Sequence, residues 1–312
     1  FIRWGSCLAH PTWLAKSKVY QTLKGYRALG ATVVEEGNRY VIDAKELKAA
    51  NIYLDMPSVG ATINIMLVAV KAKGTTIIEN VAKEPEIVNV ATFLNNMGAK
   101  IIGAGTNKIK ITGVEYLHKS YHEVIPDRIE AGTFVIIGSL LGENLRIKNI
   151  IPSHIESLTS KLIEAGVNLK IGEDYIYVNS GNKYKAINIK TLPYPGFPTD
   201  LQQPIIPFLT QCHGTSTVEE TIYENRFQNI YDTNRMGASI IVKNNKIAKV
   251  KGITPLQGKN VTATDLRGGA SMLICGLIAD GTTTIDNVKY ILRGYDDICG
   301  KLTKVGAKIE LI

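Results

Sequence analysis

The sequence has few of the features that mark metal-binding, secreted or membrane-spanning proteins. It contains four cysteines in 312 residues, and none of them lie at the C-x-x-C spacing that structural zinc sites use. Cys212, Cys275 and Cys299 fall in apolar helical patterns and are expected to be reduced core residues. No apolar run reaches the roughly 18 residues of a membrane-spanning helix, and no signal peptide is visible. We therefore expect no metal, no cofactor, no membrane attachment and a cytoplasmic location.

Acidic residues are scarce relative to basic ones. Lys plus Arg number 36 and Asp plus Glu number 28, which gives a formal net charge of +8. This excess favours an anionic ligand such as a nucleic acid, a nucleotide or a phosphorylated metabolite. No dense run of Lys and Arg is interleaved with aromatic residues, so we expect no nucleic-acid partner. The apolar fraction of 45% is typical of a globular protein, and the length suffices for two domains.

A repeat of about seventy residues organises the chain. Five glycines each end a helical pattern and precede a strand pattern, and successive glycines lie 68 to 71 positions apart. They are Gly30, Gly98, Gly166, Gly237 and Gly306. A second set keeps the same period and comprises Gly74, Gly142, Gly214 and Gly281. Two landmarks with one period indicate internal repetition of one structural unit.

One copy of the repeat can be assigned from its periodicities. The patterns predict helices over Thr62–Val70 and Glu84–Met97, and strands over Thr75–Asn80, Lys100–Gly103 and Lys108–Thr112. Each unit is therefore helix–strand–helix–strand–strand, and the fold class is α/β with internal symmetry. The first copy is partial, with a helix over Tyr20–Gly30 and a hairpin over Ala31–Asp43.

A domain boundary is expected near Val124, because the stretch from His118 to Pro126 lies between repeats. The first domain then spans 1–125 and is incomplete, with the partial repeat and one full repeat. The second domain spans 126–312 and carries the Asp200 turn together with Arg267 and Arg293.

The segment from Tyr194 to Pro204 interrupts regular structure, since it holds three prolines and a glycine. It carries one carboxylate, Asp200, directly before the apolar run from Leu201 to Leu209, which predicts a buried helix. An Asp at this place either caps the helix or serves as a general base in a cleft. Spacing alone does not choose between these two roles.

Polar and charged residues stand at five predicted helix entrances, where free backbone N–H groups favour anions. These entrances are Pro57–Thr62, Pro126–Glu130, Glu224–Phe227, Thr264–Gly269 and Arg293–Tyr295. Each one alone is more typical of a helix cap or a surface ion pair than of a binding site. Five of them in a repeated fold favour a site for a phosphate-bearing ligand.

Three of these stretches, together with the turn that carries Asp200, also resemble the motifs of one enzyme family. Phe197–Gln202, Glu224–Phe227, Ala263–Arg267 and Arg293–Tyr295 resemble, in order and spacing, motifs of the UDP-N-acetylglucosamine 1-carboxyvinyltransferase family, the UDP-N-acetylglucosamine enolpyruvyl transferases. The resemblance runs from about Tyr20 to Ile312. It implies the EPSP synthase-like fold, a two-domain inside-out α/β barrel with six repeats, three in each domain, and the substrate between the domains.

The resemblance implies a reaction as well. The family transfers the enolpyruvyl group of phosphoenolpyruvate to the 3-hydroxyl of UDP-N-acetylglucosamine and releases phosphate. This transferase step is the first committed step of peptidoglycan synthesis, and so of cell wall biogenesis, cell shape and division. The implied partners are UDP-N-acetylglucosamine and phosphoenolpyruvate, and we expect a monomer.

Residue roles follow from the resemblance only where this chain matches a family motif. Asp200 aligns with the carboxylate that takes the hydroxyl proton, and Arg267 and Arg293 align with arginines around phosphoenolpyruvate. The nucleotide diphosphate turn aligns with Ser58, Val59 and Gly60, and a backbone contact to the sugar nucleotide aligns with Ile222. The remaining substrate-binding positions are Glu84, Asp127, Arg128, Thr199, Arg226 and Asp265.

The N-terminal segment departs from the family pattern. Family members carry Pro-Gly-Gly-Cys and then Gly-x-Arg-Pro in a mobile loop, where the Cys is the general acid and the fosfomycin target. Here Trp4-Gly5-Ser6-Cys7 resembles the first part weakly, and no Gly-x-Arg-Pro follows. Cys7 is a candidate catalytic acid, and a buried helix residue is the alternative. Phe1 is not a methionine, which suggests a fragment or a processed product, and we expect little or no transferase activity from this chain.

Three other functions stay open. The related 3-phosphoshikimate 1-carboxyvinyltransferase has the same fold but should lack the diphosphate turn and the Phe-Pro-Thr-Asp motif. RNA 3′-terminal phosphate cyclases use a related repeat but need an adenylated His, and none of the five His stands in an evident motif. A non-catalytic UDP-sugar-binding remnant fits the altered N-terminal segment.

Overall fold

The computed structural model of the chain describes residues 13–37, 39–181 and 183–312, with side chains from Val19 onward. The chain divides into two units, Phe1–Ile125 and Pro126–Ile312. No helix of the described ranges combines the length and the apolar character that crossing a membrane requires.

The first unit contains three helices and six strands within the described ranges. In chain order these are α1 (Trp13–Ala28), β1 (Thr32–Glu36), β2 (Arg39–Asp43), β3 (Asn51–Tyr53), α2 (Val59–Ala69), β4 (Thr75–Glu79), α3 (Pro85–Asn96), β5 (Lys100–Ile102) and β6 (Lys108–Thr112). Strands β1 and β2 form an antiparallel hairpin. The other four form a sheet in the order β3-β4-β6-β5, in which only β3 and β4 are parallel. Helices α2 and α3 pack on this sheet through Ile65, Met66 and Ile87, which are fully buried with Ile78 and Ile109.

The second unit repeats this plan. Its first part is α4 (Arg128–Leu141), β7 (Leu145–Lys148), α5 (Glu156–Ala165), β8 (Asn168–Ile171) and β9 (Tyr175–Asn179). Its middle is β10 (Tyr184–Lys185), β11 (Asn188–Lys190), a 3₁₀ turn (Thr199–Leu201), α6 (Gln202–Thr210), β12 (Cys212–Glu219), α7 (Ile230–Arg235), β13 (Ser239–Lys243) and β14 (Ile247–Gly252). Its end is β15 (Asn260–Thr262), α8 (Leu266–Ile278), β16 (Thr284–Asp286), α9 (Lys289–Leu292) and α10 (Ile298–Lys304).

In the residues that the structure describes, the strands of the second unit form three sheets. Strands β7, β9 and β8 pair antiparallel in that order, and β15 pairs with β16 in parallel. The largest sheet has the order β10-β12-β14-β13, and β11 also pairs with β12. One apolar cluster joins α4, α6 and α8 to these sheets, with Ile136, Phe208 and Ile274 fully buried.

The predicted repeat is confirmed as helix–strand–helix–strand–strand in three copies, α2 to β6, α4 to β9 and α6 to β14. All five period-setting glycines lie in the left-handed region, with φ between 91° and 112°. Such φ values favour glycine and end the preceding helix. Gly142 differs from the rest of the second set because its φ is −75°. It needs glycine for another reason, since a Cβ there would lie 2.6 Å from the Gly138 carbonyl oxygen.

Several boundaries differ from the sequence-based expectation. Helix α1 begins at Trp13 rather than Tyr20, and α2 begins at Val59 rather than Thr62 because Ser58 caps it. Cys212 begins a strand and does not lie in a helix, since α6 ends at Thr210. Cys299 is only half-buried, because α10 leaves one side to solvent.

In two of the repeats, an asparagine near the end of a helix hydrogen-bonds to the edge strand that follows it. The two edge strands are β5 and β13. Asn95 donates to the Ile101 carbonyl oxygen and accepts from the Ile101 N–H, both at 2.9 Å. Asn234 makes the same pair of bonds to Ile240, at 2.9 and 3.0 Å. The side chain thus satisfies backbone groups that an edge strand would otherwise expose to pairing with another chain.

Replacing Asn95 with alanine should therefore destabilise the first unit by about 1–2 kcal/mol, because two hydrogen bonds to one strand residue are lost. The neighbouring Asn96→Ala is the matched control and should change stability by less than about 0.5 kcal/mol, because Asn96 is exposed. Urea denaturation monitored by circular dichroism gives both values. Equal losses in the two variants would contradict the role of Asn95.

Candidate functional site

The site is built on the turn between β11 and α6. The irregular segment ends in the 3₁₀ turn Thr199–Leu201, and α6 follows directly with every residue from Gln202 to Thr210 buried. Pro204, which the sequence placed in the interruption, lies in the first turn of α6. No side chain caps the turn or the helix at this point. The capping role considered for Asp200 is therefore wrong, because its carboxylate is used elsewhere.

The Asp200 carboxylate lies between two arginines. Arg226 hydrogen-bonds Oδ1 through Nη2, and Arg267 donates from Nη2 to Oδ2 at 3.0 Å. The arginine side chains are 9% and 13% exposed, whereas that of Asp200 is 41% exposed. The two guanidinium groups are thus mostly sheltered, and the carboxylate they hold is partly open to solvent.

Neighbouring aromatic residues fix both guanidinium groups. The Arg226 guanidinium lies 4.4 Å from the centroid of the Tyr223 ring, a cation–π contact. Arg267 donates from Nη1 to the hydroxyl of Tyr295 at 3.4 Å. Tyr295 is 1% exposed, and its hydroxyl lies 3.0 Å from Oγ1 of Thr133 on α4. These contacts therefore fix the orientation of each guanidinium group.

Competing effects set the ionisation of this cluster. Burial opposes the charged form of Asp200, but the charges of Arg267 and Arg226, with a contribution from Arg128, outweigh it and lower the pKa of the carboxyl. Burial likewise opposes the charge of Arg267, and the Asp200 carboxylate raises the pKa of that guanidinium. At neutral pH the cluster is therefore one carboxylate between two guanidinium cations.

This arrangement predicts a pH dependence of stability. Because the pKa of Asp200 is lower in the folded unit than in the unfolded chain, its stabilisation is complete above the ordinary carboxyl pKa of about 4. It is lost as the pH falls through the lower folded pKa. The melting temperature of the parent should therefore exceed that of Asp200→Asn near neutral pH, and the gap should shrink below about pH 4. An unchanged gap at about pH 2.5 would contradict this assignment.

The entrance to α8 contributes a second carboxylate. Asp265 caps this helix, with Oδ1 accepting from the N–H groups of Arg267 and Gly268 at 2.9 and 3.1 Å. Its Oδ2 accepts from Nε2 of Gln203 at 3.3 Å, and Gln203 is fully buried on α6. Asp265 therefore orients the backbone from which Arg267 projects, and Gln203 ties that backbone to the helix after Asp200.

Three other predicted residues of the second unit bond to Glu220 or cap a helix. Thr199 donates to Oε2 of Glu220 at 2.9 Å, and the Ile222 N–H donates to Oε1 of Glu220 at 2.8 Å. A backbone contact from Ile222 to a ligand would thus use its carbonyl oxygen. Asp127 caps α4 through the N–H groups of Ile129 and Glu130.

Two further cationic positions belong to the predicted site. The Arg128 guanidinium lies 5.8 Å from the centroid of the Tyr194 ring. Arg293 follows α9 and is exposed, 5.8 Å from the centroid of the Tyr290 ring. Within the described ranges no ion pair joins Arg293 to Asp200.

The predicted diphosphate turn lies in the first unit and has the expected form. Ser58 is the N-cap of α2 and accepts from the Ala61 N–H at 3.3 Å, while Val59 and Gly60 form the first helical positions. A Cβ at Gly60 would meet no atom within 4 Å, so backbone can be approached closely there. Glu84 is the half-buried N-cap residue of α3. These positions leave helix N–H groups directed outward, as anion binding requires.

The two buried cysteines of the second unit are not reactive thiols. Burial raises the pKa of both Cys212 and Cys275 to about 12, so these thiols stay protonated. Cys7, the candidate acid, lies outside the described residues, and its role stays a prediction. Among the residues that the structure describes, no group of three His, Cys, Asp or Glu side chains is placed to hold a metal.

Sequence reasoning missed three contributors to the cluster: Glu220, Gln203 and the Tyr295 hydroxyl. Glu220 carried a usable signal. Ser216 and Val218 occupy the buried phase of β12, and Glu220 continues that phase although it is acidic. An acid on the buried side of a strand calls for hydrogen-bond partners.

Comparison with known proteins shows to which family the chain is similar. The sequence matches the family model described as EPSP synthase (3-phosphoshikimate 1-carboxyvinyltransferase) over residues 19–302. UDP-N-acetylglucosamine 1-carboxyvinyltransferase 2 of Listeria innocua is 53% identical over 297 residues, which are 95% of this chain and 70% of that protein. The protein of the same name from Bacillus cereus is 52% identical over 296 residues, which are 95% of this chain and 69% of that protein.

Solved structures give the same picture of the fold. The enolpyruvyl transferase NikO from Streptomyces tendae superposes with a TM-score of 0.86 at 25% identity, covering 94% of this chain and 72% of that one. EPSP synthase from Acinetobacter baumannii superposes with a TM-score of 0.70 at 20% identity, covering 97% of this chain and 74% of that one. The expected fold class is confirmed by these two neighbours.

Proposed function

Because this chain belongs to the EPSP synthase family and, within it, to the UDP-N-acetylglucosamine 1-carboxyvinyltransferases, we propose that it transfers the enolpyruvyl group of phosphoenolpyruvate to the 3-hydroxyl of UDP-N-acetylglucosamine. Phosphate is the second product. On this proposal the reaction is the first committed step of peptidoglycan synthesis, and the chain acts in the cytoplasm as a monomer without a cofactor. The two units correspond to the two domains of such an enzyme.

The observation that carries the proposal is the exposed Asp200 carboxylate held between two sheltered arginines. A carboxylate that is ionised at neutral pH can accept the proton of a substrate hydroxyl. Two oriented guanidinium groups beside it can stabilise a phosphate and a carboxylate on one small molecule. The enolpyruvyl transfer needs both functions at one place, a base for the sugar hydroxyl and cations for phosphoenolpyruvate.

Asp200 can act as a general base only if substrate binding raises its lowered pKa. A strongly acidic carboxyl is a weak base, and a general base works best with a pKa near the working pH. We propose that the anionic groups of phosphoenolpyruvate compete with Asp200 for Arg226 and Arg267. Their hold on the carboxylate then weakens, and its pKa rises at the step that needs a base.

Residues outside the ion-paired cluster have assigned parts in this proposal. Arg293 binds the phosphate or carboxylate of phosphoenolpyruvate, because it is exposed and its charge is free of a salt bridge within the described ranges. Ser58, Val59 and Gly60 bind the nucleotide diphosphate through the start of α2. The Ile222 carbonyl oxygen contacts the sugar nucleotide. Glu84, Asp127, Arg128, Thr199 and Asp265 are supporting polar residues.

Isothermal titration calorimetry tests the substrate assignment without requiring turnover. UDP-N-acetylglucosamine should bind the folded chain, and shikimate 3-phosphate, the substrate class of the alternative family member, should give no heat. Heat from shikimate 3-phosphate alone would overturn the assignment in favour of that alternative. The absence of heat from either ligand, with a cooperative unfolding transition, would contradict substrate binding by this chain.

A further inference from the structure

Glu220 is a buried acid that the proposed reaction does not use directly. It follows the last residue of β12 and is 3% exposed. Within the described ranges no ion pair involves this carboxylate, so neutral donors satisfy its charge. A buried carboxylate destabilises the fold unless hydrogen-bond donors surround it. The identity of these donors therefore indicates what Glu220 does.

Four donors converge on the two oxygens of Glu220. Oε1 accepts from Oγ1 of Thr191 and from the Ile222 N–H, both at 2.8 Å, and from the Tyr223 N–H at 2.9 Å. Oε2 accepts from Oγ1 of Thr199 at 2.9 Å. Thr191 directly follows β11, and Thr199 lies in the proline-rich turn before α6. The other two donors lie in the loop after β12, so the four come from two separate stretches of the chain.

Both segments carry a member of the ion pair. Thr199 directly precedes Asp200 in the 3₁₀ turn. Tyr223, whose N–H is bound by Glu220, places its ring 4.4 Å from the Arg226 guanidinium. One carboxylate therefore fastens the turn that holds Asp200 to the loop that holds Arg226. The same bonds occupy the Ile222 N–H, so a ligand that contacts this backbone would use the carbonyl oxygen.

We propose that Glu220 is a positioning residue that sets the distance between Asp200 and Arg226 and presents the Ile222 backbone to the sugar nucleotide. The second part rests on the proposed function, and the first part does not. A carboxylate suits this task because both oxygens accept hydrogen bonds. Glutamine in its place would offer one acceptor oxygen, and its NH₂ group would require the Thr199 hydroxyl to accept instead of donate.

The test compares Glu220→Gln with Thr199→Val, which removes only the bond to the turn of Asp200. Glu219→Gln is the matched control, because Glu219 is the preceding residue and pairs with Lys190 at 3.0 Å on the other face of β12. Calorimetry should show about tenfold weaker binding of UDP-N-acetylglucosamine in both test variants, equivalent to about 1.4 kcal/mol. The control should bind like the parent.

A second readout follows Asp200 itself and needs no ligand. The pKa of its carboxyl is measured by carbon-13 NMR titration, and the groups that face it are Arg226, Arg267 and Arg128. Loosening the Arg226 contact should raise this pKa in both test variants. Removing the negative charge of Glu220 without movement would lower it instead, since a nearby like charge opposes ionisation. The direction of the change thus separates positioning from charge.

The outcomes are distinct. A raised Asp200 pKa in Glu220→Gln and Thr199→Val, at a melting temperature close to that of the parent, supports the positioning role. A lowered or unchanged pKa overturns it, even if the variants are less stable. If the parent itself does not bind UDP-N-acetylglucosamine, the proposed function fails, and the NMR titration still decides whether Glu220 positions Asp200.

Discussion

Replacing Asp200 with asparagine should lower the rate of enolpyruvyl transfer by about 10³-fold, within the usual 10²- to 10⁴-fold contribution of a general base. Asparagine keeps the shape of the side chain but cannot accept the hydroxyl proton. It also leaves Arg226 and Arg267 side by side without the carboxylate that now lies between them. The rate is measured with enzyme in excess over both substrates and product followed by mass spectrometry, so that slow parent turnover remains measurable.

Asp232→Asn is the matched control for this experiment. Asp232 pairs with Arg235 at 2.6 Å, its side chain is 11% exposed, and it lies in the same unit on α7. Its loss should reduce stability, as removal of one partner of a sheltered pair does, without a comparable loss of rate. A rate for Asp200→Asn within threefold of the parent, or equal rate losses in the two variants, would remove Asp200 from the chemistry.

Replacing Arg293 with methionine should weaken the binding of phosphoenolpyruvate, or of inorganic phosphate, by about 10- to 100-fold. A charge-assisted hydrogen bond is worth about 1.5–3 kcal/mol, which corresponds to that range. Affinity for UDP-N-acetylglucosamine should stay within about twofold of the parent by the same reasoning. Stability should hardly change, because Arg293 is exposed and contacts the face of Tyr290.

The control for Arg293 is Arg146→Met. Arg146 is also exposed and lies against aromatic rings, 4.4 Å from the Tyr175 centroid and 5.5 Å from that of Tyr177. It removes the same charge from the same unit, so it reports the general effect of charge on anion binding. Calorimetric titrations of both ligands into the three proteins give the comparison. Equal losses for both ligands in Arg293→Met would contradict its assignment to phosphoenolpyruvate.

Much of the fold follows from local rules. The five glycines lie at helix ends where the left-handed backbone favours glycine, so their period reports the repeat directly. Helix α3 and strands β5 and β6 lie within one residue of the predicted bounds, because amphipathic periodicity and alternation are strong there. The strands that sequence reasoning missed are short. Strands β3, β11 and β15 contain three residues each, too few for a period of two to stand out.

The site was less accessible to sequence reasoning, because its contacts are long-range. Asp200 meets Arg226 across 26 positions and Arg267 across 67 positions of the chain. Local spacing offered capping as one role for Asp200, and only the folded chain brings the two arginines to it. The motif resemblance named these three side chains without giving their geometry. Glu220 lay outside every motif. Its position in the buried phase that continues β12 indicated hydrogen-bond partners, but only the folded chain identifies them as Thr199 and the Tyr223 N–H.

One measurement tests the central claim most directly: mass spectrometry of the reaction mixture after long incubation of the chain with UDP-N-acetylglucosamine and phosphoenolpyruvate. We expect slow formation of enolpyruvyl-UDP-N-acetylglucosamine and an equal amount of phosphate, only when both substrates are present, and formation about 10³-fold slower still with Asp200→Asn. The claim would be contradicted if Asp200→Asn formed the product at the parent rate. It would also be contradicted if the chain transferred the enolpyruvyl group to shikimate 3-phosphate and not to the UDP-sugar.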